Sequence, residues 1–451
     1  MLAPVRTICI IGAGPSGLVT AKTLQETGYH VDVYEAGPGV GGVWNIDNPR
    51  SPAYASLRTN TSKRAMSFSD LKFEEHDPDF PDHRRVREYL TTYAKKNGLS
   101  GRIFCNTLVE KALRENNGWS VWLGGQEEAR HYDAVVVCTG QFAEPILPKD
   151  PCPKDFGGQY IHAMQYKDPV NPINCKDAKV IVVGLGASGV DIAMDIAEKG
   201  AAAVWLSARS GRYLAPKFTA EGPLDRKSPR PGDPLPAIAH MVPQKLAIWA
   251  SRQAIRSFYK KIAHQYGSSK SLGFEAPDFP PWERPPTITN DLRASIKSGK
   301  IIPKKGIIKY EGKIVHFADG SKENADIIIY STGYRWQFPF LNEELGAHGE
   351  DALVGENIFL ERRIAHPKVP NLYFIGFCKQ LCSIFPLAEE QARWLAASLR
   401  FPDRERMPVT KLSEPFGTIC NFYVNDLRRD FQRENQVSDA SRGGKEEKLW
   451  N

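Results

Sequence analysis

Two glycine-rich stretches carry the residue types that could do chemistry in this sequence. The first, Gly12-Ala13-Gly14-Pro15-Ser16-Gly17, ends the β-branched run Val5–Gly12; the second, Gly184-Leu185-Gly186-Ala187-Ser188-Gly189, follows Lys179–Val183. Apolar residues then recur at helical spacing, Leu18, Ala21 and Leu24 in one case and Ile192 and Ile196 in the other. A further strand closes each unit, His30–Glu35 and Ala203–Ser207. In such a unit the first glycine permits the tight turn, the second lets a diphosphate approach the backbone, and the third lets helix and strand pack closely. The helix N-terminus then presents unpaired N–H groups to an anion. One match of this kind is weak. Two, each set between a strand and a helix, predict two dinucleotide sites.

The ends of the second strands separate the two ligands. Glu35 stands about 18 residues past Gly17, where a carboxylate can accept hydrogen bonds from ribose hydroxyls. At the equivalent place after the second unit comes Ser207-Ala208-Arg209-Ser210, with no acid. An isolated Arg209 would read as a solvated loop residue. Behind a glycine fingerprint it suits a ribose 2′-phosphate through charge-assisted hydrogen bonds. The first site is therefore expected to take a dinucleotide without the extra phosphate, and the second NADPH.

The chain that must position these sites has 451 residues, enough for two or three domains or for one nested in another. It is 41% hydrophobic and 25% charged, which argues against a disordered or fibrous protein. Fifty-nine Lys and Arg against 52 Asp and Glu leave +7, too dilute to point to nucleic acid. No apolar run approaches the roughly 18–20 residues of a spanning helix. The Met1–Ala13 segment runs straight into glycines and reads as a buried strand, not a signal peptide. Eight cysteines show neither zinc spacing nor a disulfide framework, so free thiols, a cytoplasmic location and no metal site are expected.

Two short buried strands ending in Thr-Gly, Asp133–Gly140 and Asp326–Gly333, bracket the second glycine unit, and Asn371–Gly376 is another apolar strand. This order predicts an α/β protein with two Rossmann-like dinucleotide-binding domains, one inserted in the other. The expected division is 1–168 for the first domain, 169–325 for the inserted one, 326–425 for the return, and a polar tail over 426–451. Val86–Leu99 and Pro386–Leu399 have helical spacing. The proline-rich stretches Gly222–Pro236 and Phe274–Pro286 read as loops around Ala237–Tyr266, where Ile248, Ile255, Tyr259 and Ile262 share a helical face. Within the insertion, at about 213–300, Trp249, Phe258, Tyr259, Phe274, Phe279 and Trp282 could line a substrate pocket, although a local core is the commoner arrangement.

The motif Phe156-x-Gly158-x-x-x-His162-x-x-x-Tyr166 resembles that of the flavin-containing monooxygenases, which oxygenate nitrogen and sulfur. Gly41-Gly42-Val43-Trp44, Asn60-Thr61-Ser62-Lys63, Ser331-Thr332-Gly333-Tyr334 and Pro386–Arg393 extend the resemblance from about residue 5 to residue 397. It implies FAD on Gly12, Ala13, Gly14, Pro15, Ser16, Gly17 and Glu35, with Val43, Trp44, Thr59, Asn60 and Val109 along it. It implies NADPH on Gly184, Gly186, Ser188, Gly189, Val190, Asp191, Ser207 and Arg209. Asn60, a turn residue by motif alone, maps onto the family's active-site asparagine. His162 is expected to organise the domain interface and not to act as a base. By the same resemblance, NADPH reduces the flavin, O2 forms a C4a-hydroperoxide, and a soft amine or sulfide nucleophile takes the distal oxygen. The substrate would be a small molecule, an alkaloid being one candidate, and a homo-oligomer is compatible with the chain.

Four alternatives stand beside this expectation. A pyridine-nucleotide disulfide reductase needs a redox cysteine pair near the flavin, and none lies between Ile10 and Phe104; only Cys378 and Cys382 come close in sequence. A Baeyer–Villiger monooxygenase, acting on ketones, usually carries tryptophan where this chain has Tyr166. An uncoupled NADPH oxidase would consume NADPH without an organic substrate. A non-enzymatic scaffold would need a broken fingerprint, and both are intact. The chain also lacks the long apolar C-terminal segment of membrane-bound animal members, ending instead in Gly443–Asn451, so a soluble enzyme is expected.

Overall fold

The computed structural model describes residues 5–115, 118–231, 233, 242–341, 358–378, 382–401, 407–411 and 420–430. The apolar run before the first fingerprint forms β1 (Thr7–Ile11), buried on both faces at its centre. The chain then builds α1 (Pro15–Glu26), β2 (His30–Tyr34), α2 (His83–Lys96), β3 (Ile103–Phe104) and β4 (Ala134–Val137). A short strand β5 (Glu144–Pro145) leads out to β6 (Gln159–His162), β7 (Lys179–Val183), α3 (Ala187–Glu198) and β8 (Ala203–Ser207). Beyond these lie α4 (Gln244–Tyr266), β9 (Ile302–Lys304), β10 (Ile327–Tyr330), β11 (Tyr334–Arg335), β12 (Leu372–Phe374), α5 (Ile384–Arg400) and α6 (Cys420–Arg429).

Two five-stranded parallel sheets result. Their orders are β12-β4-β1-β2-β3 and β9-β8-β7-β10-β6. Read from the fingerprint strand outward, four of the five strands follow the same order, so the internal echo extends from glycines to most of each sheet; the fifth, β12, ends the first sheet in the chain, whereas β6 precedes the fingerprint of the second. Helices cover such parallel sheets on their faces, which is why the strands read as unbroken Val/Ile runs. In the first body α1 packs on α5, with Leu18, Ala21, Trp394 and Leu395 all fully buried. In the second, Val180, Val182, Ile192 and Ile329 share one core. Each body also carries a three-stranded antiparallel meander, over residues 109–132 and 307–324.

Several expectations need correction. Boundaries at 168/169 and 325/326 would cut the second sheet, because β6 pairs with β10 and β10 with β7. The strand at 326–333 is thus not the return to the first body; β12, paired with β4, is. The crossings run together, β5 pairing antiparallel with β11. The helix expected over Ala237–Tyr266 is seen over Gln244–Tyr266, and residues 237–241 lie outside the described residues, as do most of 426–451. Phe274 and Phe279 are buried locally, in keeping with the commoner arrangement, Trp249 and Phe258 are exposed, and no member of that aromatic set lines the main cavity. Cys382 and Cys420 form a disulfide that sequence spacing had not indicated, while the other six cysteines are free. No described helix is long and apolar enough to cross a membrane.

Candidate functional site

A cavity of about 1200 Å³ runs between the two sheets, larger than the roughly 300–1,000 Å³ of a cleft for one drug-sized ligand. Both fingerprints open into it: Gly12, Gly14, Pro15, Ser16, Gly184, Gly186 and Ser188 all line it. The two turns are built alike. Gly12 has φ +107° and Gly184 +124°, and a Cβ there would lie 2.6 Å from the Cys138 carbonyl oxygen or 2.3 Å from that of Ser331. The strand ends preceding Thr139-Gly140 and Thr332-Gly333 are therefore the walls against which the glycines fold. The third glycines do the packing, a Cβ on Gly17 falling 1.8 Å from the Gly12 carbonyl and one on Gly189 2.0 Å from that of Gly184. Neither α1 nor α3 has a side-chain cap or an acid in its first turn, so their terminal N–H groups remain for an anion.

Glu35 is 6% exposed and lines the cavity at the end of β2. Its Oε2 accepts from the Ala13 N–H at 2.8 Å, and its Oε1 from the Gly37 N–H at 2.7 Å and Asn48 Nδ2 at 3.4 Å. A carboxylate has about four acceptor positions, so Glu35 closes the turn and keeps capacity for a ligand hydroxyl. Val43 and Trp44 come from a 3-10 turn, and Val109 from the start of the first meander; all three line the cavity. Thr59 is buried with its Oγ1 unpartnered, and Asn60 is exposed to the cavity with no side-chain hydrogen bond among the described residues. Such orphaned donors and acceptors fit a polar ligand between the sheets.

At the far end stand Ser207 and Arg209. Ser207 donates its hydroxyl to the Lys305 carbonyl at 2.7 Å. Arg209 passes over Gly306, where a Cβ would meet its Cγ at 2.8 Å, and has no ion pair among the described residues. Ala13, Gly17, Gly189, Val190 and Asp191 do not reach the cavity. Val190 is fully buried, and Asp191 accepts from the Tyr54 hydroxyl at 2.9 Å, its carboxyl held above the usual range by burial. Sequence reasoning missed Tyr54, Gln141, Arg212, Arg284 and the α5 terminus Ser383–Phe385, which line the cavity from segments without a motif. Arg284 is the one described residue of 213–300 that does so.

The Phe156–Tyr166 motif also gains a physical account. A Cβ on Gly158 would collide with the Asp326 carbonyl at 2.5 Å and with the Phe156 ring, so the edge strand β6 can lie against β10 only with glycine there. His162 sits behind Tyr334 and outside the cavity, its Nδ1 accepting from the Met164 N–H at 3.1 Å. Burial pushes the ring down to about 4, which suits an interface residue and not a base at neutral pH. Tyr166 donates to Asp195 at 2.8 Å.

The chain matches the family profile "Flavin-binding monooxygenase-like" over residues 5–412. It is 31% identical over 406 residues to an N-oxide-forming dimethylaniline monooxygenase 2 of Rattus norvegicus, covering 86% of this chain and 72% of that one. Among solved structures it resembles S-allyl-L-cysteine S-oxygenase from Allium sativum, at 24% identity and a TM-score of 0.61, over 97% of this chain and 83% of that one. It also resembles OTEMO in complex with FAD and NADP, at 17% identity and a TM-score of 0.70, over 96% and 98% of the two chains. At these identities the structural likeness speaks for the fold: two dinucleotide-binding bodies, one inserted in the other. The family match and the cavity shared by two intact fingerprints converge, and the chain belongs to the flavin-binding monooxygenases, FAD-dependent oxidoreductases that use NADPH and O2.

Proposed function

We propose that this enzyme oxygenates a soft nucleophile, an amine nitrogen or a sulfide sulfur, with FAD at the first fingerprint and NADPH at the second. One observation carries the proposal: both fingerprints open into a single cavity, with Asn60 lining it. Bound FAD would supply the acceptor for the NADPH hydride and the activation of O2. The chain's own residues bind, orient and shield. Gly12, Gly14, Pro15, Ser16 and the α1 terminus take the FAD diphosphate, Glu35 a ribose, Val43 and Trp44 the pyrophosphate and ring, and Val109 the adenine. Gly184, Gly186, Ser188 and the α3 terminus take the second diphosphate, and Arg209, steadied by the Ser207 loop, the 2′-phosphate. Ala13, Gly17, Gly189, Val190 and Asp191 act by shaping the turns and helices that do the holding.

Thr59 and Asn60 present hydrogen-bonding groups at the junction. The Asn60 amide has donors and an acceptor and does not titrate, so it orients without exchanging a proton. The cavity walls keep water from the reacting atoms. A nitrogen or sulfur substrate is favoured over a ketone because the fingerprint closes with Tyr166, whose hydroxyl has a hydrogen-bond partner in Asp195. The relatives named for N-oxide formation and S-oxygenation agree with that choice. We place the inserted domain from about residue 158 to about residue 333, as the strand pairings favour.

The test is product formed and peroxide released per NADPH, with FAD-loaded protein and a tertiary amine, a sulfide and a ketone. N- or S-oxide formed nearly one-for-one with NADPH is expected. Asn60→Ala should keep the yellow flavin and shift most of the NADPH into peroxide. Ester or lactone from the ketone alone would move the assignment to Baeyer–Villiger chemistry. An unchanged product ratio in Asn60→Ala would remove Asn60 from the site.

A further inference from the structure

The segment carrying Asn60 is anchored at its far end to the first body, where the Thr59 N–H meets the Pro81 carbonyl at 3.0 Å and the His83 N–H that of Leu57 at 3.1 Å. Its near end is gripped by the second. Tyr54, 2% exposed and lining the cavity, donates to Asp191 at 2.9 Å. Ser56 donates to Asp195 Oδ2 at 3.0 Å, the same oxygen that accepts from Tyr166 at 2.8 Å. Lys167 reaches back to the carbonyls of Ser51 at 2.7 Å and Ala53 at 3.2 Å. Asp191 and Asp195 lie one turn apart on the same face of α3. The N-terminus of that helix lines the cavity at Gly186–Ser188.

We propose that Tyr54, Asp191 and Asp195 form an interdomain latch that positions Asn60 against the dinucleotide held at α3, and so sets how fully NADPH use is coupled to oxygen transfer. The inference rests on the cofactor placement proposed above. A simple strut between domains would need contact with α3 anywhere along its length. Here the contacts fall on the second and third turns of the helix, whose N-terminus lines the cavity, and on the segment running into Thr59 and Asn60. Moving α3 therefore moves that segment with it. These are positioning residues, acting through Asn60.

The experiment uses the FAD-loaded full chain with Tyr54→Phe, Asp195→Ala, Asp195→Asn and Asn60→Ala, reading product and peroxide per NADPH beside NADP binding. Tyr54→Phe and Asp195→Ala should raise peroxide per product by about threefold or more, as loss of a hydrogen bond to a carboxylate implies. NADP affinity should stay within about twofold. Asp195→Asn keeps an acceptor oxygen and should restore coupling. Tyr54→Phe combined with Asn60→Ala should leak no more than Asn60→Ala alone, since both act at one group. Wild-type coupling in Tyr54→Phe and Asp195→Ala would overturn the latch, as would a leak that tracks lost NADP affinity. If Asn60→Ala stays coupled while the latch variants leak, the role of Asn60 fails and the latch as stated fails with it. If NADP does not bind the wild-type chain, the cofactor placement is what has failed.

Discussion

Arg209→Ala isolates the choice between NADPH and NADH. Arg209 lines the far end of the cavity, has no ion pair among the described residues, and lies over Gly306. Its removal strands no buried carboxylate, so the effect should appear in ligand binding and hardly at all in folding. A charge-assisted hydrogen bond to a phosphate is worth about 1.5–3 kcal/mol, or about 10- to 100-fold in kcat/KM for the phosphorylated cofactor. Arg212 and Arg284 line the same cavity, each stacking on Phe279 at 5.7 and 4.6 Å, and their remaining charge should hold the loss toward the lower end. The assay is steady-state oxidation of NADPH and of NADH at low ionic strength, with binding of 2′,5′-ADP and 5′-AMP as the chemistry-free control. NADH turnover and 5′-AMP affinity should change by less than about twofold. Added salt should narrow the wild-type preference, because the interaction is screened over a Debye length of about 8 Å at physiological strength. Equal losses for NADPH and NADH would refute the phosphate role and return Arg209 to the status of a loop residue.

Three further perturbations test the scaffold. Gly17→Ala places a methyl 1.8 Å from the Gly12 carbonyl, so α1 must shift; a loss of about 1–3 kcal/mol in thermal stability and weak FAD retention are expected, and a fully flavinated, equally stable variant would contradict the packing role. Burial lowers His162 from 6.5 to about 4, so it contributes stability that is present above pH 6.5 and lost as pH falls toward 4. His162→Gln should flatten acid unfolding across that window by on the order of 2 kcal/mol, and an unchanged pH profile by circular dichroism would count against it. The Cys382–Cys420 disulfide closes a loop of 38 residues, worth about 2–4 kcal/mol, so Cys420→Ser should lower Tm while dithiothreitol adds nothing further to that variant. An equal drop on adding the reductant would mean the bond is not the cause.

Much of this fold was legible because glycines and parallel strands leave strong local marks. Gly12, Gly17, Gly184 and Gly189 stand where a Cβ cannot, and sequence spacing alone located all four. The sheet membership of Ile327–Tyr330 was not legible, since an apolar run ending in Thr-Gly looks the same whether it pairs with β1 or with β7. Tyr54, Arg212 and Arg284 escaped notice for a different reason. They enter the cavity from turns without periodicity, and only the closed tertiary structure brings them there. The Cys382–Cys420 bond likewise joins residues 38 apart, and nothing in their spacing selects that pair from among eight cysteines.

The order that four strands of each sheet share ends at the fifth, and there the sheets differ in when they can be completed. The second sheet draws its five strands from residues 159–330, one continuous stretch. The first cannot place its edge strand Leu372–Phe374, or cover α1 with Ile384–Arg400, until residues 372–400 have been made. During synthesis the first glycine turn is therefore made early and finished late, with the open edge of Ala134–Val137 exposed while the inserted body folds. A chain truncated after residue 330 would keep a complete second sheet and a first one without its closing strand. The nascent protein's exposure to aggregation should then be governed by the last quarter of the sequence, far from either dinucleotide fingerprint.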